Sequence, residues 1–440
     1  MASEPLAHTS TDVVVIGGGI SGLLAARRAA QAGHGVVLIE AAERLGGRLA
    51  SVVLEGISLD AGAESFATRG GHVQRLCEEL GLGADVVEPR RAPAWVVGPR
   101  AAYPLPATSW LGIPSHPLAR DVRRVLGWTG ALRAATDLIR PARPAAADAT
   151  VGSVSRDRLG TRATTRLVAP VVTGVYTREL DALPLDSLAP GLTTDVGKAG
   201  LIRTARARRA ASPPGAAVRS LQGGLHRLVD AVAADAVAQG ARIETGEAVT
   251  ALAPTSDGWV ITTPTQRIEA ERVVLAIPPH HLDELVGRAN RFAGPVPGPA
   301  RYVAIESLVL DAPALDAAPR GTGVLAQPGL TRAKALTHAS AKWEWLAQVL
   351  PPGRHVIRLS YTLSHAGEEV ASYAVSDASA LLGVNLEPAD VVARSTHVWL
   401  DAAPSTPPAR LPRGLHVLGA GAGLTGLAAI THQVSSADFV

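Results

Sequence analysis

The sequence predicts an α/β protein with a parallel sheet, and two observations support this prediction. A β-branched run at residues 13–16, a helical stretch at residues 21–32 and a second β-branched run at residues 36–39 follow one another within about 30 residues. A similar alternation returns later in the chain, where a helical stretch at residues 227–238 precedes several short strand-like runs. Strands that alternate with helices in this way form parallel βαβ units.

The later strands are expected to build onto the same sheet. They are predicted at residues 242–244, 247–252, 259–263, 272–277 and 415–418. Two further strand-like runs, at residues 303–310 and 355–361, alternate apolar and polar side chains. A chain of 440 residues exceeds what one hydrophobic core usually organises, so more than one folding unit is expected.

Proline-rich joints and changes in composition divide the chain into three regions. Residues 1–90, 216–295 and 396–440 are predicted to form a nucleotide-binding domain from separated segments. Residues 91–215 are rich in Arg, Ala and Pro and are predicted to be helical. Residues 296–395 are predicted to form an inserted α+β substrate domain. The predicted fold class is therefore α/β, with a Rossmann-like domain, an inserted α+β domain and a helical region.

Composition and charge exclude several classes of protein. There are 42 Lys and Arg against 39 Asp and Glu, a net charge of +3, and no run of five or more basic residues, so no nucleic-acid partner is expected. The single cysteine, Cys77, excludes an internal disulfide and is typical of a reducing compartment. No window of about 18 uncharged apolar residues and no signal-peptide pattern is found, so we expect a cytoplasmic protein. The histidines lack metal-ligand spacing, so no metal is expected.

A glycine-rich turn between the first predicted strand and helix carries the clearest chemical signal. It has the pattern GxGxxG, which is specific only in the right context, and here it follows a strand, opens a helix and precedes an acid, Glu40, at the end of the next strand. Such a turn presents helix N–H groups to a diphosphate, while the acid binds ribose hydroxyls. The alternative is a glycine turn in a unit that binds no nucleotide. The predicted contacts are Gly17, Gly18, Gly19, Ile20, Ser21, Gly22 and Glu40.

A second glycine segment follows Glu40 within eight residues and indicates which dinucleotide is bound. Residues 43–48 read ERLGGR, so that paired glycines allow close backbone approach and Arg48 supplies a cation for a pyrophosphate. This extension resembles the flavin amine-oxidase superfamily, and the resemblance implies FAD rather than NAD. The alternative is a charged surface turn. Because Cys77 is the only cysteine and lies far from the other flavin motifs, we expect FAD to be bound non-covalently.

The order of further segments resembles the protoporphyrinogen/coproporphyrinogen oxidase family of that superfamily. Most of these segments are weak signals individually, but their order along nearly the whole chain is specific. They are residues 60–66, 104–106, 112–114, 172–176, 221–225, 274–278, 334–337 and 342–343. The resemblance implies flavin contacts at Gly62, Ala63, Glu64 and Ser65, a backbone contact to the adenine side at Val249, and a cleft-lining position at Ala276.

A second GxGxxG pattern occupies residues 421–426 near the end of the chain. The remaining residues leave no room for a helix, a strand and its acid together, so a second complete nucleotide unit is not expected. The resemblance implies instead a flavin segment with contacts at Leu427 and Ala428. This segment departs from the family pattern, because residues 399–404 are followed by a proline-rich stretch without Tyr. A flavin-binding protein without turnover therefore remains an alternative.

The family resemblance implies oxidation of a porphyrinogen to a porphyrin in three two-electron steps. Hydride would leave a meso carbon for flavin N5, a pyrrole N–H proton would be lost, and oxygen would reoxidise the flavin with formation of hydrogen peroxide. We predict coproporphyrinogen III as the substrate. Protoporphyrinogen IX, and an FAD amine oxidase or desaturase, are the alternatives, although the chain has only 3% aromatic residues for the aromatic cage typical of amine oxidases.

The residues that bind the substrate are less clearly marked than those that bind the cofactor. Arg69 is the leading candidate for a substrate propionate, because the family places a basic residue near this position; a surface arginine is the alternative. Tyr176 and Lys334 are candidates for the substrate pocket, with a core or interface position as the alternative. No catalytic acid or base is identified. Residues 110–114 could touch a membrane surface, as in relatives, or pack in a core, and the oligomeric state is not predicted.

Overall fold

A computed structural model describes residues 7–144, 146, 148–176, 179–211, 217–287, 301–401 and 411–440. The chain forms two compact units. The first unit comprises Met1–Pro89, Ala216–Tyr302 and His397–Val440, and the second comprises Arg90–Gly215 and Val303–Thr396. The helical region and the inserted region that the sequence separates thus share one unit.

Most of the helices that the structure describes belong to the second unit. In the described residues, the α-helices are α1 (Ile20–Gln31), α2 (His72–Glu79), α3 (Arg120–Ala135), α4 (Val151–Leu159), α5 (Thr161–Ala163), α6 (Ala169–Tyr176), α7 (Leu192–Ala199), α8 (Leu201–Ala210), α9 (Arg227–Ala238), α10 (Pro279–Gly287), α11 (Ala339–Lys342), α12 (Glu344–Val349), α13 (Ala371–Leu382) and α14 (Leu427–Ser436).

Within the described ranges, the strands form two large sheets and three small ones. They are β1 (Ala7–Ile16), β2 (Val36–Ile39), β3 (Ser51–Leu54), β4 (Ile57–Asp60), β5 (Phe66–Ala67), β6 (Val86–Val87), β7 (Trp95–Gly98), β8 (Ala101–Pro104), β9 (Ser109–Trp110), β10 (Ile113–Pro114), β11 (Val218–Leu221), β12 (Arg242–Glu244), β13 (Ala251–Pro254), β14 (Trp259–Thr262), β15 (Gln266–Leu275), β16 (Arg301–Asp311), β17 (Gly323–Ala326), β18 (Ala335–His338), β19 (Arg354–Leu363), β20 (Val391–Asp401) and β21 (Leu415–Val417).

The large sheet of the first unit has the order β12-β2-β1-β15-β14-β13, with β21 also paired to β15. The pairs among β12, β2, β1, β15 and β21 are parallel, whereas β13, β14 and β15 form an antiparallel meander. The parallel core and its helices confirm the predicted α/β class. The strands from the beginning, middle and end of the chain lie side by side in this sheet.

Burial on both faces explains why the first strand reads as a continuous apolar run. Val13 and Val15 pack in one core with helices α1, α9 and α14, while Val14 and Ile16 pack in a second core with residues of the meander. Strands that are covered on both faces lose the polar–apolar alternation of a half-exposed strand. The βαβ unit therefore holds the end of β1 and the start of α1 in fixed positions.

The second unit has its own seven-stranded sheet and its own helical core. The sheet has the order β20-β16-β19-β18-β17-β7-β8. The helical core packs around fully buried side chains such as Leu126, Leu167 and Leu192. Residues 109–114 form the small β9–β10 hairpin, and Ile113 and Pro114 are buried, so this segment packs mainly in the core of the unit. In the ranges that the structure describes, none of the helices is long and apolar enough to cross a membrane.

The strand predicted at residues 247–252 is shorter and shifted in the structure. Pairing begins only at Ala251, because the N–H groups of Gly246 and Glu247 donate to the carbonyl oxygens of Ala42 and Glu40 instead of to a neighbouring strand. This segment therefore lies against the end of β2, beside Glu40.

Candidate functional site

The glycines of the turn between β1 and α1 have different structural roles. Gly17 has φ of +107°, and a side chain there would lie 2.7 Å from the carbonyl oxygen of Ala276. A methyl group on Gly22 would overlap the carbonyl oxygen of Gly17. A methyl group on Gly19 would meet no atom within 4 Å. Packing thus requires glycine at positions 17 and 22, whereas Gly19 borders open space.

The N-terminus of α1 has the electrostatic character of an anion site. Gly19 is the N-cap, no side chain caps the helix, and the first turn contains no acidic residue. The first internal helix bond runs from the Leu23 N–H to the Gly19 carbonyl, so the preceding N–H groups are not used within the helix. Because the helix dipole adds positive potential there, the turn of Gly17–Gly22 suits a phosphate. Ile20 and Ser21, the first residues of the helix, are buried.

Glu40 follows β2 and is held in place by two backbone N–H groups. Gly18 N–H donates to Oε2 at 2.5 Å, and Ala42 N–H donates to Oε1 at 2.8 Å. The backbone N–H of Glu40 bonds the carbonyl of Glu244 in the adjacent strand. A carboxylate has about four acceptor positions, so these two bonds fix its orientation and leave acceptor capacity for hydroxyl groups. The carboxylate is therefore joined directly to the glycine turn.

The second glycine segment lies directly against the first. Gly46 N–H donates to the Gly18 carbonyl at 2.9 Å, and Gly19 and Gly46 form a parallel bridge. Gly47 has φ of +54°, and a side chain there would approach the Cα of Gly19. Two glycine-rich turns therefore meet at one place, as is required for close approach to a diphosphate.

Arg48, which the sequence predicts as a cation for a pyrophosphate, is paired with an acid from near the end of the chain. Its Nη2 lies 2.8 Å from Asp401 Oδ1, and about half of its side chain remains exposed. Burial, followed by the charges of His281 and Arg48, lowers the pKa of His280 against the opposing effect of Glu284. The Arg48 charge is therefore close enough to influence His280 of α10.

Residues 62–65 are placed against the backbone of Arg48. Ala63 N–H donates to the Arg48 carbonyl at 2.9 Å, and a side chain at Gly62 would overlap the same oxygen. Further along, Ser220 Oγ donates to the Glu64 carbonyl at 2.7 Å. Ser65 is half-buried and leads into the buried Phe66 of β5. The structure thus brings together the glycine turn, Arg48 and this third segment.

Sequence reasoning missed the polar cluster that ties this third segment to residues 221–225. The buried carboxylate of Asp60 accepts the N–H groups of Leu225 at 3.0 Å and His226 at 2.8 Å. His226 Nδ1 lies 3.0 Å from the same carboxylate, and its Nε2 lies 3.0 Å from Ser58 Oγ. Asp60 and the glycines before His226 were visible as motifs, but their contact depends on the tertiary fold.

The remaining predicted cofactor positions belong to the first unit, and two of them, Ala276 and Val249, lie near the glycine turn and Glu40. Ala276 N–H donates to the Ile16 carbonyl at 2.9 Å, at the point where β1 enters the glycine turn. Val249 is half-buried in the segment beside Glu40 and packs against the sheet core. Leu427 and Ala428 begin α14, which follows Gly426 at φ of +86°, has no side-chain cap and packs on α1 and α2.

Of the three substrate candidates, Arg69 belongs to the first unit, and Tyr176 and Lys334 belong to the second. Arg69 is exposed in the first unit, in the short turn before α2. Lys334 is buried in the second unit, where its backbone N–H donates to the Ser360 carbonyl at 2.9 Å. Tyr176 ends α6 of the second unit, and its side chain lies outside the part of the chain that the structure describes.

Comparison with known proteins identifies the family. The model of flavin-containing amine oxidoreductases matches residues 20–406, which is well over half of the chain. The chain belongs to this family of flavin-containing amine oxidoreductases.

Curated relatives extend the flavin-containing amine oxidoreductase assignment over almost the full chain. A coproporphyrinogen III oxidase of Mycobacterium leprae is 30% identical over 91% of this chain and 89% of the relative. A coproporphyrinogen III oxidase of Staphylococcus aureus is 27% identical over 79% of this chain and 77% of the relative. A crystal structure from Exiguobacterium sp. 255-15, named as a protoporphyrinogen oxidase, has a TM-score of 0.79 and 23% identity over 98% of this chain and 99% of that chain. The similarity to this crystal structure supports the fold alone.

Membership of the flavin-containing amine oxidoreductases makes the chain an enzyme with FAD as its cofactor. The site fits this cofactor on structural grounds. The open space beside Gly19 and the uncapped start of α1 suit a diphosphate, and the fixed carboxylate of Glu40 suits a ribose. Segments 46–48 and 62–65 meet in the same unit, as a cofactor that spans both would require.

Proposed function

We propose that this enzyme oxidises coproporphyrinogen III to coproporphyrin III in the cytoplasm, with oxygen as the final acceptor and hydrogen peroxide as the second product. The observation that carries the proposal is the identity of 30% over 91% of the chain with a relative named coproporphyrinogen III oxidase. The reaction would belong to haem biosynthesis. Its three two-electron steps together remove three hydrides from meso carbons and three protons, of which one comes from the remaining meso carbon and two come from pyrrole nitrogens, so that four meso CH groups and two N–H groups remain in the porphyrin.

We propose that the cofactor residues of the first unit act mainly by binding and orientation. When bound, non-covalent FAD would accept the hydride at its flavin ring. The N–H groups at Gly19, Ile20 and Ser21 would bind the diphosphate, and Glu40 would accept the ribose hydroxyls. The remaining proposed contacts are Gly17, Gly18, Gly22, Arg48, Gly62, Ala63, Glu64, Ser65, Val249, Ala276, Leu427 and Ala428.

The start of α14 would contribute electrostatically to the redox step. Its first turn has no side-chain cap and no acidic residue, so its N–H groups are available to negative charge. Located after a glycine, this turn permits close approach of a planar ring. Arg69, Tyr176 and Lys334 are proposed to contact the substrate.

The curated relatives favour coproporphyrinogen III over protoporphyrinogen IX. Both the mycobacterial and the staphylococcal relative are named for the former substrate. The structural neighbour named for the latter is only 23% identical, which supports the fold and not the substrate. Membrane contact is not needed for this proposal.

A turnover assay with both porphyrinogens tests the proposed function. The purified holoenzyme is mixed in air with coproporphyrinogen III or protoporphyrinogen IX, and porphyrin fluorescence and hydrogen peroxide are followed. We expect porphyrin to form faster from coproporphyrinogen III, with three peroxides for each porphyrin. Turnover of protoporphyrinogen IX alone would replace the proposed substrate, and the absence of porphyrin from both would refute the proposed function.

A further inference from the structure

One buried histidine nitrogen beside the proposed cofactor contacts has no partner in the described part of the protein. His280 is the second residue of α10, and its Nδ1 is inaccessible to solvent. Among the described residues, none places a donor or an acceptor within hydrogen-bond distance of this atom. A buried polar atom without a partner costs free energy, so it indicates a bound water or a ligand.

The chain just before His280 packs against the glycine turn of the proposed diphosphate site. A side chain on Gly17 would lie 2.7 Å from the Ala276 carbonyl oxygen and 3.0 Å from Ile277 Cγ2. A methyl group on Gly22 would lie 3.3 Å from Ala276 Cβ. His280 therefore follows directly on a segment that contacts the start of α1.

The other neighbour of α10 is the turn that leads to the proposed flavin segment. α10 packs against this turn, Gly419–Ala422, and a side chain on Gly421 would lie 2.9 Å from the Ile277 carbonyl oxygen. Gly419 lies against the start of α1, because a side chain there would overlap Ser21 Oγ. The chain that leads into α10 therefore adjoins both the diphosphate turn and the turn before α14.

The ring of His280 is neutral at neutral pH. Burial, followed by the charges of His281 and Arg48, lowers the pKa of His280 against the opposing effect of Glu284. A neutral imidazole presents one donor and one acceptor, which matches a hydroxyl group that can also donate and accept. A phosphate would instead favour a protonated ring. The chemistry of His280 therefore suits a hydroxyl group better than an anion.

We propose that Nδ1 of His280 forms a hydrogen bond with a hydroxyl group of the ribityl chain of bound FAD. The ribityl chain joins the diphosphate to the flavin ring, so it would pass between the start of α1 and the start of α14. This inference rests on the proposed cofactor contacts at Arg48, Leu427 and Ala428. The hydrogen bond contributes to the binding and orientation of the cofactor, and His280 takes no part in the transfer of the hydride.

FAD titration of apoprotein variants tests this contact. His280→Leu and His280→Ala remove the ring nitrogen, whereas His280→Asn keeps a polar group close to the position of Nδ1. A neutral hydrogen bond contributes a factor of about 2 to 12 in affinity. We expect the FAD affinity to fall by about this factor in the two apolar variants and to recover most of this loss in His280→Asn.

ADP is the matched ligand for this titration, because it has the adenosine diphosphate half of FAD and no ribityl chain. We expect ADP to bind wild type and all three variants with equal affinity. Binding of ADP also shows that the nucleotide site of each variant is folded. His281→Gln is the matched control variant, because this neighbouring side chain is mostly exposed and lies 3.6 Å from Glu284 through its Nδ1, and it should leave the FAD affinity unchanged.

Thermal unfolding of the same apoproteins separates a cofactor contact from a structural role. Because Nδ1 of His280 is buried without a partner among the described residues, the apolar side chain of His280→Leu should leave the melting temperature of the apoprotein unchanged or raise it. A lower melting temperature together with an unchanged FAD affinity would assign His280 to the fold and overturn the proposal.

Two further results would overturn the ribityl contact. Equal FAD affinity in wild type and both apolar variants would mean that Nδ1 of His280 binds only water. An equal loss for ADP and FAD would place the contact on the adenosine diphosphate half. None of these measurements involves a porphyrinogen, so they support or reject the His280 contact even if the wild type turns over neither porphyrinogen and the proposed function fails.

Discussion

Gly19 and Gly22 stand three residues apart in one turn but face different surroundings. A methyl group on Gly22 would collide with the Gly17 carbonyl, whereas one on Gly19 would enter open space. The fold therefore requires glycine at position 22, whereas at position 19 we predict that the bound ligand requires it. The sequence motif predicted both glycines, but only the structure distinguishes their roles.

Alanine substitutions at these two glycines should separate folding from cofactor binding. We expect Gly22→Ala to lower the free energy of unfolding by about 1–3 kcal/mol or more, because backbone must move to accept the methyl group. We expect Gly19→Ala to keep the melting temperature of the apoprotein and to weaken FAD binding. Thermal unfolding of the apoproteins and FAD titration measure the two effects. Equal destabilisation by both substitutions would contradict this assignment.

Arg48 is the proposed partner of the diphosphate, but it also forms an ion pair with Asp401. The Asp401 carboxylate would therefore compete with the diphosphate for the guanidinium. If Arg48 binds the diphosphate, Arg48→Gln should weaken FAD binding by roughly tenfold, because charge-assisted bonds to phosphate are strong. Asp401→Asn should maintain or increase the affinity, because it frees the guanidinium. The FAD affinity of each variant is measured by titration of its apoprotein. A loss of affinity in both variants would show that the ion pair, rather than Arg48 alone, supports the site.

Strands β18 and β19 meet at a buried histidine pair in the second unit. His338 Nε2 lies 3.1 Å from His355 Nδ1, and His355 Nε2 lies 2.9 Å from Asp316 Oδ1. Burial, and then the charge of His355, lowers the pKa of His338 to about 4 from 6.5. Protonation of His338 is therefore strongly disfavoured in the folded protein.

This histidine pair should make the second unit sensitive to acid. The unfolded chain binds the proton near pH 6.5 and the folded chain only near pH 4, so the unfolding free energy decreases as the pH falls between these values. This shift in the pKa of His338 corresponds to at most about 3 kcal/mol of unfolding free energy. Melting temperatures measured from pH 7 to pH 4 should fall less steeply in His338→Gln than in the wild type. Replacement of the exposed His8 by Gln is the control, and parallel curves for His338→Gln and wild type would contradict the prediction.

Local pattern predicted some elements closely and others poorly, for physical reasons. The bounds of β2, α9 and β12 agree with those expected from the sequence, and in β2 and α9 this follows from a clear apolar pattern. β15 begins at Gln266, six residues before the expected start, because its first half alternates buried and exposed side chains as a partner of β14. The expected start marked only the half that is buried on both faces.

The first unit is assembled from three separated stretches of chain. Motif order in the sequence placed these stretches in one domain, but it did not show which side chains meet. The pairs Arg48–Asp401 and His72–His432 join residues that are far apart in the chain, and no local pattern encodes such contacts. The cofactor motifs could be predicted because a diphosphate requires glycines within one turn.

FAD should therefore stabilise the first unit as a whole. A ligand at 100 times its dissociation constant contributes about 2.7 kcal/mol to the folded state. We expect the melting temperature to rise with added FAD and to rise much less with FMN, which lacks the adenosine half that Glu40 and residues 246–250 would hold. Differential scanning fluorimetry of the stripped protein measures this difference. Equal stabilisation by the two flavins would contradict the proposed adenosine site.

Mixing the yellow holoenzyme with coproporphyrinogen III in the absence of oxygen tests the proposed redox chemistry directly. We expect the flavin absorbance to bleach as porphyrin appears and the yellow colour to return when air is admitted. A protein that purifies without FAD and takes none up, or a bound flavin that keeps its colour in the presence of this substrate, would contradict it.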